Sequence, residues 1–321
     1  LVIKTIRLSV AFTFSPVTMS SNQSVTYLMK RFREAGIHVK SKHGQNFLID
    51  LNLLRLLVES AELHSNDVVL EVGTGTGSLT AHIAPHVAEV VTVEIDEQMY
   101  QLASEELYTF NNVTMLRQDA LRNKNHLDEQ VLDTVREKLA EAPGREFKLV
   151  ANLPYNVATP IISNLLACEL PPATMTVTIQ KELGERMIAP PSTKDYSALS
   201  VWVQSQCHVK WIRTLSPTVF WPKPKVHSAF IQLVLDPARR EAIGNLTGFH
   251  TFVRALFTHR RKLLRSQLLH ALPDRIEKTD IDSLLTELQL PPQSRAEDLP
   301  VETFVEMFHA IERRFPAVQR G

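Results

Sequence analysis

The sequence has only two cysteines, Cys168 and Cys207, in 321 residues. They show neither CxxC spacing nor a nearby histidine pair, which argues against a zinc site and against a disulfide framework. Two small buried hydrophobes in a reducing compartment is the plain reading, and a cytoplasmic location follows from it. No apolar run approaches the ~20 residues that a membrane helix needs. Neither sign of charge is in excess, because 35 basic residues balance 35 acidic ones. A nucleic-acid partner must therefore be sought in local charge. Residues 8–14 form a short apolar stretch behind Lys4 and Arg7, yet no clear small-residue cleavage site follows. With Met19 close behind, residues 1–18 are expected to be an over-extended reading frame or a disordered tail rather than an export signal. The remainder, 44% hydrophobic and 22% charged overall, suits one large globular domain or two moderate ones.

Short β-branched runs recur along the first two-thirds of the chain. Residues 68–72, 90–94, 113–116, 147–151, 174–180, 211–215 and 229–235 read as seven strands. Helical patterns lie between most of them, at 53–61, 79–84 and 98–107. Another begins near Thr159, a candidate cap with Pro160 in its first turn. Such alternation predicts an α/β fold, a mostly parallel sheet covered by helices on both faces. No clear helix separates the last two strands, so a hairpin there would put an antiparallel strand into the sheet. The charged span 122–145 reads as a surface insertion. Beyond Asp236-Pro237 the periodicity is purely helical, at 249–258, 261–272, 280–288 and 301–315. The expected division is a flexible N-terminal extension (1–39), an α/β domain (40–236) and a small all-helical C-terminal domain (237–321).

Glu71-Val72-Gly73-Thr74-Gly75-Thr76-Gly77 follows the first strand and opens a helix. Glycines let a ligand lie directly on such a loop. The dinucleotide fingerprint G-x-G-x-x-G fails here in both registers, because the third position falls on Ser78 or on Thr80. Glu94, at the end of the second strand, can accept hydrogen bonds from two ribose hydroxyls, and Asp119, after the third, can accept one from an adenine amine. A solvent-facing turn acid and a helix cap are the plain alternatives for these two residues.

Asn152-Leu153-Pro154-Tyr155 ends the fourth strand, where open α/β sheets bind ligands. The lone pair of an adenine amine is delocalised into its ring. Two acceptors that hold both amine hydrogens would aim that lone pair at an activated methyl group. The side-chain oxygen of Asn152 and the carbonyl of Leu153 can do this. Pro154 stiffens the turn, and Tyr155 offers a stacking face worth roughly 1–3 kcal/mol. An ordinary strand-ending turn is the competing interpretation. In the proline-rich stretch 220–228, Phe220 or Trp221 can cover the other face of a base, and Lys223 and Lys225 can meet phosphates. A rigid linker with a buried aromatic explains this stretch equally well.

Taken together, these segments resemble the KsgA-type ribosomal RNA adenine dimethyltransferases. The resemblance spans the chain from about Lys40 to the C-terminal helices. Lys42-His43-Gly44-Gln45-Asn46-Phe47-Leu48-Ile49-Asp50 resembles the motif that closes over the family's cofactor. Glu71 to Gly77 resembles its glycine loop, with Thr74 where proline is common. Val93-Glu94-Ile95-Asp96 resembles its ribose-binding strand end. Asn152-Leu153-Pro154-Tyr155-Asn156 resembles its catalytic motif, and Phe220 to Ser228 fits F-x-P-x-P-x-V-x-S. The resemblance implies a Rossmann-like class I methyltransferase fold and S-adenosylmethionine as cofactor. It implies dimethylation of two adjacent adenosines near the 3′ end of small-subunit (16S) rRNA. Cofactor contacts would come from Asn46, Leu48, Gly73, Gly75, Glu94, Asp119 and Asn152. Asn152, Leu153, Pro154 and Tyr155 would act on the base, with Phe220 stacking opposite.

Arg254, Arg260, Arg261, Lys262 and Arg265 are a candidate RNA-binding cluster, with Arg254, Arg261 and Arg265 near one helical face. Lys30, Arg31, Arg33, Lys40 and Lys42 form a second basic stretch, readable as a solvated arm. The implied partners are small-subunit rRNA and pre-30S particles, with no membrane or metal, and a monomer is expected. Two other functional classes compete. One is a nicotinamide-dependent dehydrogenase, and the other a non-catalytic RNA-binding assembly or transcription factor on the same scaffold.

Overall fold

β-branched runs bounded by glycine, proline or acids become strands here, and the amphipathic stretches between them become helices. The computed structural model describes residues 25–34, 45–259, 262–272 and 277–315. Lys40, Lys42, His43, Gly44, Arg260 and Arg261, together with residues 1–18, lie outside them. The chain begins with α1 (Val25–Glu34), β1 (Phe47–Leu48), α2 (Leu51–Ser60), β2 (Asp67–Val72), α3 (Ser78–Ile83), β3 (Glu89–Glu94), α4 (Glu97–Leu107) and β4 (Val113–Arg117). A small hairpin, β5 (Leu121–Asn123) and β6 (His126–Leu127), leads into α5 (Glu129–Ala140), β7 (Glu146–Asn152), α6 (Ala158–Ala167) and β8 (Thr174–Gln180). Then come α7 (Lys181–Ile188), α8 (Ala198–Gln204), β9 (Cys207–Leu215), β10 (Phe220–Trp221) and β11 (Ser228–Leu235). The helical tail comprises α9 (Pro237–Ile243), α10 (Leu246–Leu256), α11 (Leu264–Ala271), α12 (Lys278–Glu287) and α13 (Val301–Arg314).

The seven expected strands form one sheet in the order β4-β3-β2-β7-β8-β11-β9. β11 runs antiparallel to both β8 and β9, as the hairpin expectation required. Period-two alternation divides the core between the two faces. Val68, Leu70, Val91, Leu149 and Val177 pack on one side, and Val69, Val90, Val150 and Phe230 on the other. Asp50, Asp96 and Asp128 cap α2, α4 and α5, their side chains accepting backbone N–H bonds in each first turn. Thr159 does not cap α6. The N-cap position is Val157, and Thr159 lies exposed inside the first turn.

The span 122–145 is not a surface insertion. α5 within it buries Val131 and Val135 against the sheet, so it is a crossover helix between β4 and β7. Its i, i+4 apolar pair supplies the buried stripe despite the surrounding charge. The N-terminal segment read as flexible also contains structure, since Phe32 of α1 is buried between Phe47, Trp221, Met99 and Leu102. Arg31 of that helix pairs with Glu105 at 2.9 Å. The C-terminal helices join the main core without an apolar gap. Trp202 of α8 lies against Phe249 and is stacked on His250 of α10. Arg240 of α9 donates to Leu166 O and Cys168 O at the end of α6, and to Gln206 Oε1. Among the described residues no helix is long and apolar enough to cross a membrane.

Candidate active site

β2 lies inside the sheet, with β3 on one side and β7 on the other, so the chain reverses its direction of travel across the sheet there. Strand carboxyl ends open a crevice at such a switch point. A cavity of about 250 Å³ occupies it, lined by the glycine loop, the ends of β3 and β7, and β1. Gly73 and Gly75 have φ of +89° and +56°, a region that L side chains rarely adopt. A Cβ on Gly75 would come within 3.0 Å of the Phe47 ring, and one on Gly73 would touch Pro154 at 3.4 Å. The loop therefore fits closely between β1 and the Asn152-Leu153-Pro154-Tyr155 turn.

The cavity is acidic. Glu71, Glu94 and Asp119 line it, and no described lining residue is basic. Glu94 is buried, and both its oxygens accept backbone amides, Oε2 from Gly75 at 2.8 Å and Oε1 from Asp96 at 2.9 Å. Burial raises its pKa, and these amide bonds oppose the shift. The acid thus shapes the loop and lines the cavity. Ile95 beside it is half exposed and offers an apolar surface. Asp119 Oδ1 accepts Leu121 N–H at 2.9 Å. A dinucleotide pyrophosphate would meet acidic side chains and no described cation, which opposes the dehydrogenase reading. A cationic adenosine derivative meets complementary charge. Among the described residues no cluster of His, Cys, Asp and Glu is placed to hold a metal ion.

Asn152 Nδ2 donates to the carbonyl of Asn46 at 2.8 Å, a contact across 106 residues of sequence. Only the NH2 end of an amide can face a carbonyl, so Oδ1 is the end left free to accept. Leu153 is buried, its N–H bonded to Thr178 O at 3.2 Å. Its carbonyl accepts no hydrogen bond from the described residues. The Tyr155 ring lines the cavity, and its hydroxyl meets the buried Ser228 Oγ at 2.5 Å. Burial holds the phenol above its ordinary pKa, so it stays neutral. Two candidate acceptors and an aromatic side chain therefore belong to residues that line the cavity at the end of β7.

The cavity lining gathers Asn46, Leu48, Gly73, Gly75, Glu94, Asp119, Asn152, Leu153, Pro154 and Tyr155. Phe220 is not among them. It is 2% exposed and packed with Leu48, Leu54 and Leu215, because its β10 register places it opposite Leu48. A stacking role for Phe220 requires it to leave that packing. Trp221 packs on Phe32 instead, with ring centroids 5.4 Å apart. The basic cluster is also rearranged. α10 ends at Leu256 and α11 starts at Leu264, so Arg254 and Arg265 do not share a helix face. Arg265 is held by both oxygens of Asp282, whereas Arg254 and Lys262 are exposed. The sequence reading gave no role to Glu71, to the threonines around it or to Phe47. The acid immediately before the glycine loop was the available signal for the first.

The model for the family described as ribosomal RNA adenine dimethylase matches residues 36–313. The ribosomal RNA small subunit methyltransferase A of Bacillus mycoides is 37% identical over 279 residues, 86% of this chain and 92% of that protein. The same figures hold for the protein of that name from Bacillus anthracis. Among solved structures, a dimethyladenosine transferase from Plasmodium falciparum superposes with a TM-score of 0.68 at 22% identity, covering 83% of this chain and 97% of that one. The 23S rRNA methyltransferase ErmE gives 0.59 at 22% identity, over 83% and 100%. At that identity the two structures speak for the fold alone. The match over most of the length, relatives aligned nearly end to end and an intact Asn-Leu-Pro-Tyr turn at the switch point place this chain in the ribosomal RNA adenine dimethylase family.

Proposed function

We propose that this chain methylates the exocyclic amines of two adjacent adenosines near the 3′ end of small-subunit (16S) rRNA, using S-adenosylmethionine. It would work as a cytoplasmic monomer on pre-30S particles, with region 237–321 gripping the RNA. The bound cofactor supplies a methyl group activated on a sulfonium. Glu94 would take the ribose hydroxyls and Asp119 the adenine amine, while Asn46, Leu48, Gly73 and Gly75 shape the cavity wall. The acidic lining suits a cation.

One observation carries the catalytic part of this reading. Asn152 is fixed through its NH2 group, which leaves its oxygen and the unengaged Leu153 carbonyl as a pair of acceptors beside the Tyr155 ring. They would hold both amine hydrogens and fix the attacking nitrogen in line with the methyl, so no base need remove a proton beforehand. Pro154 keeps the turn rigid. A target base must leave its stack to arrive there.

The test is Asn152→Ala, assayed on small-subunit particles from a strain lacking the modification. Cofactor binding should stay within a few-fold, while methyl transfer falls by about 10²–10³, as for loss of one preorganised hydrogen-bonding group. Full activity would exclude the role given to the amide.

A further inference from the structure

Beneath the glycine loop lies a buried polar cluster that the reading above leaves without a role. Glu71, the penultimate residue of β2, is 1% exposed and lines the cavity. Thr80 Oγ1 of α3 and Thr92 Oγ1 of β3 both donate to its Oε2, the second at 2.8 Å. Thr74 of the glycine loop extends the chain, its hydroxyl 2.6 Å from that of Thr92. Oε1 has no partner among the described residues. The titratable group facing Glu71 is Glu94, another acid. No described cation pairs with either carboxyl.

A buried carboxyl beside a second one, with no counter-charge, is strongly disfavoured as an anion. Burial foremost, then Glu94, pushes the Glu71 pKa up to about 8, against the opposing hydroxyl bonds. A positive ligand in the same cavity reverses that balance. S-adenosylmethionine carries a sulfonium, and the product left after transfer is a neutral thioether.

We propose that Glu71 senses the charge of the bound cofactor, giving up its proton when the sulfonium form binds and regaining one when the thioether remains. The inference rests on the cofactor reading above. Protons balance over the cycle. Each methyl transfer frees one proton from the amine nitrogen. Glu71 releases one to solvent on cofactor binding and takes one back at the thioether stage, so the net yield remains one proton per methyl. Glu71 is thereby a specificity-determining residue that favours loaded over spent cofactor. Its effect depends on pH. Below about pH 8 the empty pocket holds neutral Glu71, so affinity for the sulfonium form should rise by up to tenfold per pH unit and level off above that point. Affinity for the thioether should stay nearly flat.

The experiment is titration calorimetry of the full chain with S-adenosylmethionine and with S-adenosylhomocysteine, in buffers of different ionisation heat. At pH 7 the sulfonium form should release nearly one proton more than the thioether, and Glu71→Gln should erase the difference. Wild-type protein provides a second readout independent of that variant, since the difference should fade between pH 7 and pH 9. Equal proton counts for the two ligands, a difference that survives in Glu71→Gln, or one that stays constant to pH 9 would each overturn the proposal and leave the cofactor assignment standing. Failure of both ligands to bind would remove the cofactor assignment and the proposal with it.

Discussion

At the opposite end of β2 from the cavity, Lys148 and Asp67 form an ion pair in the interior, with side chains 4% and 3% exposed. Lys148 Nζ lies 2.9 Å from the Asp67 carboxylate and donates to Glu62 O at 2.8 Å. Replacing Lys148 by Met fits the space but leaves the Asp67 carboxylate with only His64, its backbone N–H at 2.7 Å and its ring Nδ1 at 3.9 Å, and strips the Glu62 carbonyl of its donor. Breaking a buried pair from one side costs about 3–5 kcal/mol. At an m-value of about 3 kcal/mol/M, the urea midpoint should fall by about 1–1.7 M with an unchanged slope. Replacing both partners, as Asp67→Leu with Lys148→Met, should recover most of the loss, because apolar substitutes avoid desolvating either charge. Cofactor affinity should be unaffected in the folded single variant, since the length of β2, about 20 Å, separates the pair from Gly73. Tryptophan fluorescence in urea measures the first quantity and calorimetry the second. A loss below about 1 kcal/mol for Lys148→Met, or no recovery in the double variant, would refute the reasoning.

Two further outcomes follow, one from the packing of α1 and one from the basic run in the sequence. Phe32→Ala removes the buried ring that α1 places between Phe47 and Trp221, at a cost of about 3–5 kcal/mol to the packing of that helix. Because Phe47 abuts Gly75, the cofactor dissociation constant should rise several-fold with kcat at saturation unchanged. An unaltered constant, with α1 shown by proteolysis to be released, would count against the coupling. Neutralising Arg260, Arg261 and Lys262 together should weaken RNA binding and reduce the slope of log K against log salt by roughly 2–3. An unchanged slope would remove the cluster from the RNA interface.

The sequence disclosed what depends on local pattern. All seven strands appear within a few residues of expectation, because alternating β-branched residues commit each run to the two faces of the sheet. The glycine loop and Asn152 to Tyr155 were legible because their residue types are demanding in those places. α7, with Gly184 inside it, was not among the expected helices. The glycine is required because a Cβ there would come within 2.8 Å of the Trp211 ring. α5 was misjudged because its charged surface outweighed two buried valines. The inward orientation of Phe220 and the bond from Asn152 to Asn46 depend on pairings between distant segments, which no local pattern encodes. The break between α10 and α11 undid the arginine face for a related reason. That face carried one helical spacing across two segments expected as separate helices, and Leu256 and Leu264 are indeed buried in different helices.

β1 and β10 pair only two residues each, Phe47 with Trp221 and Leu48 with Phe220. That short ladder joins one wall of the cofactor cavity to the proline-rich loop that exposes Lys223 and Lys225. A pull on the loop by a polyanion would reach the cavity wall directly, without passing through the central sheet. The two substrates of such an enzyme would therefore feel each other's arrival across these four residues and the Ile49 N–H bond to Val219 O beside them.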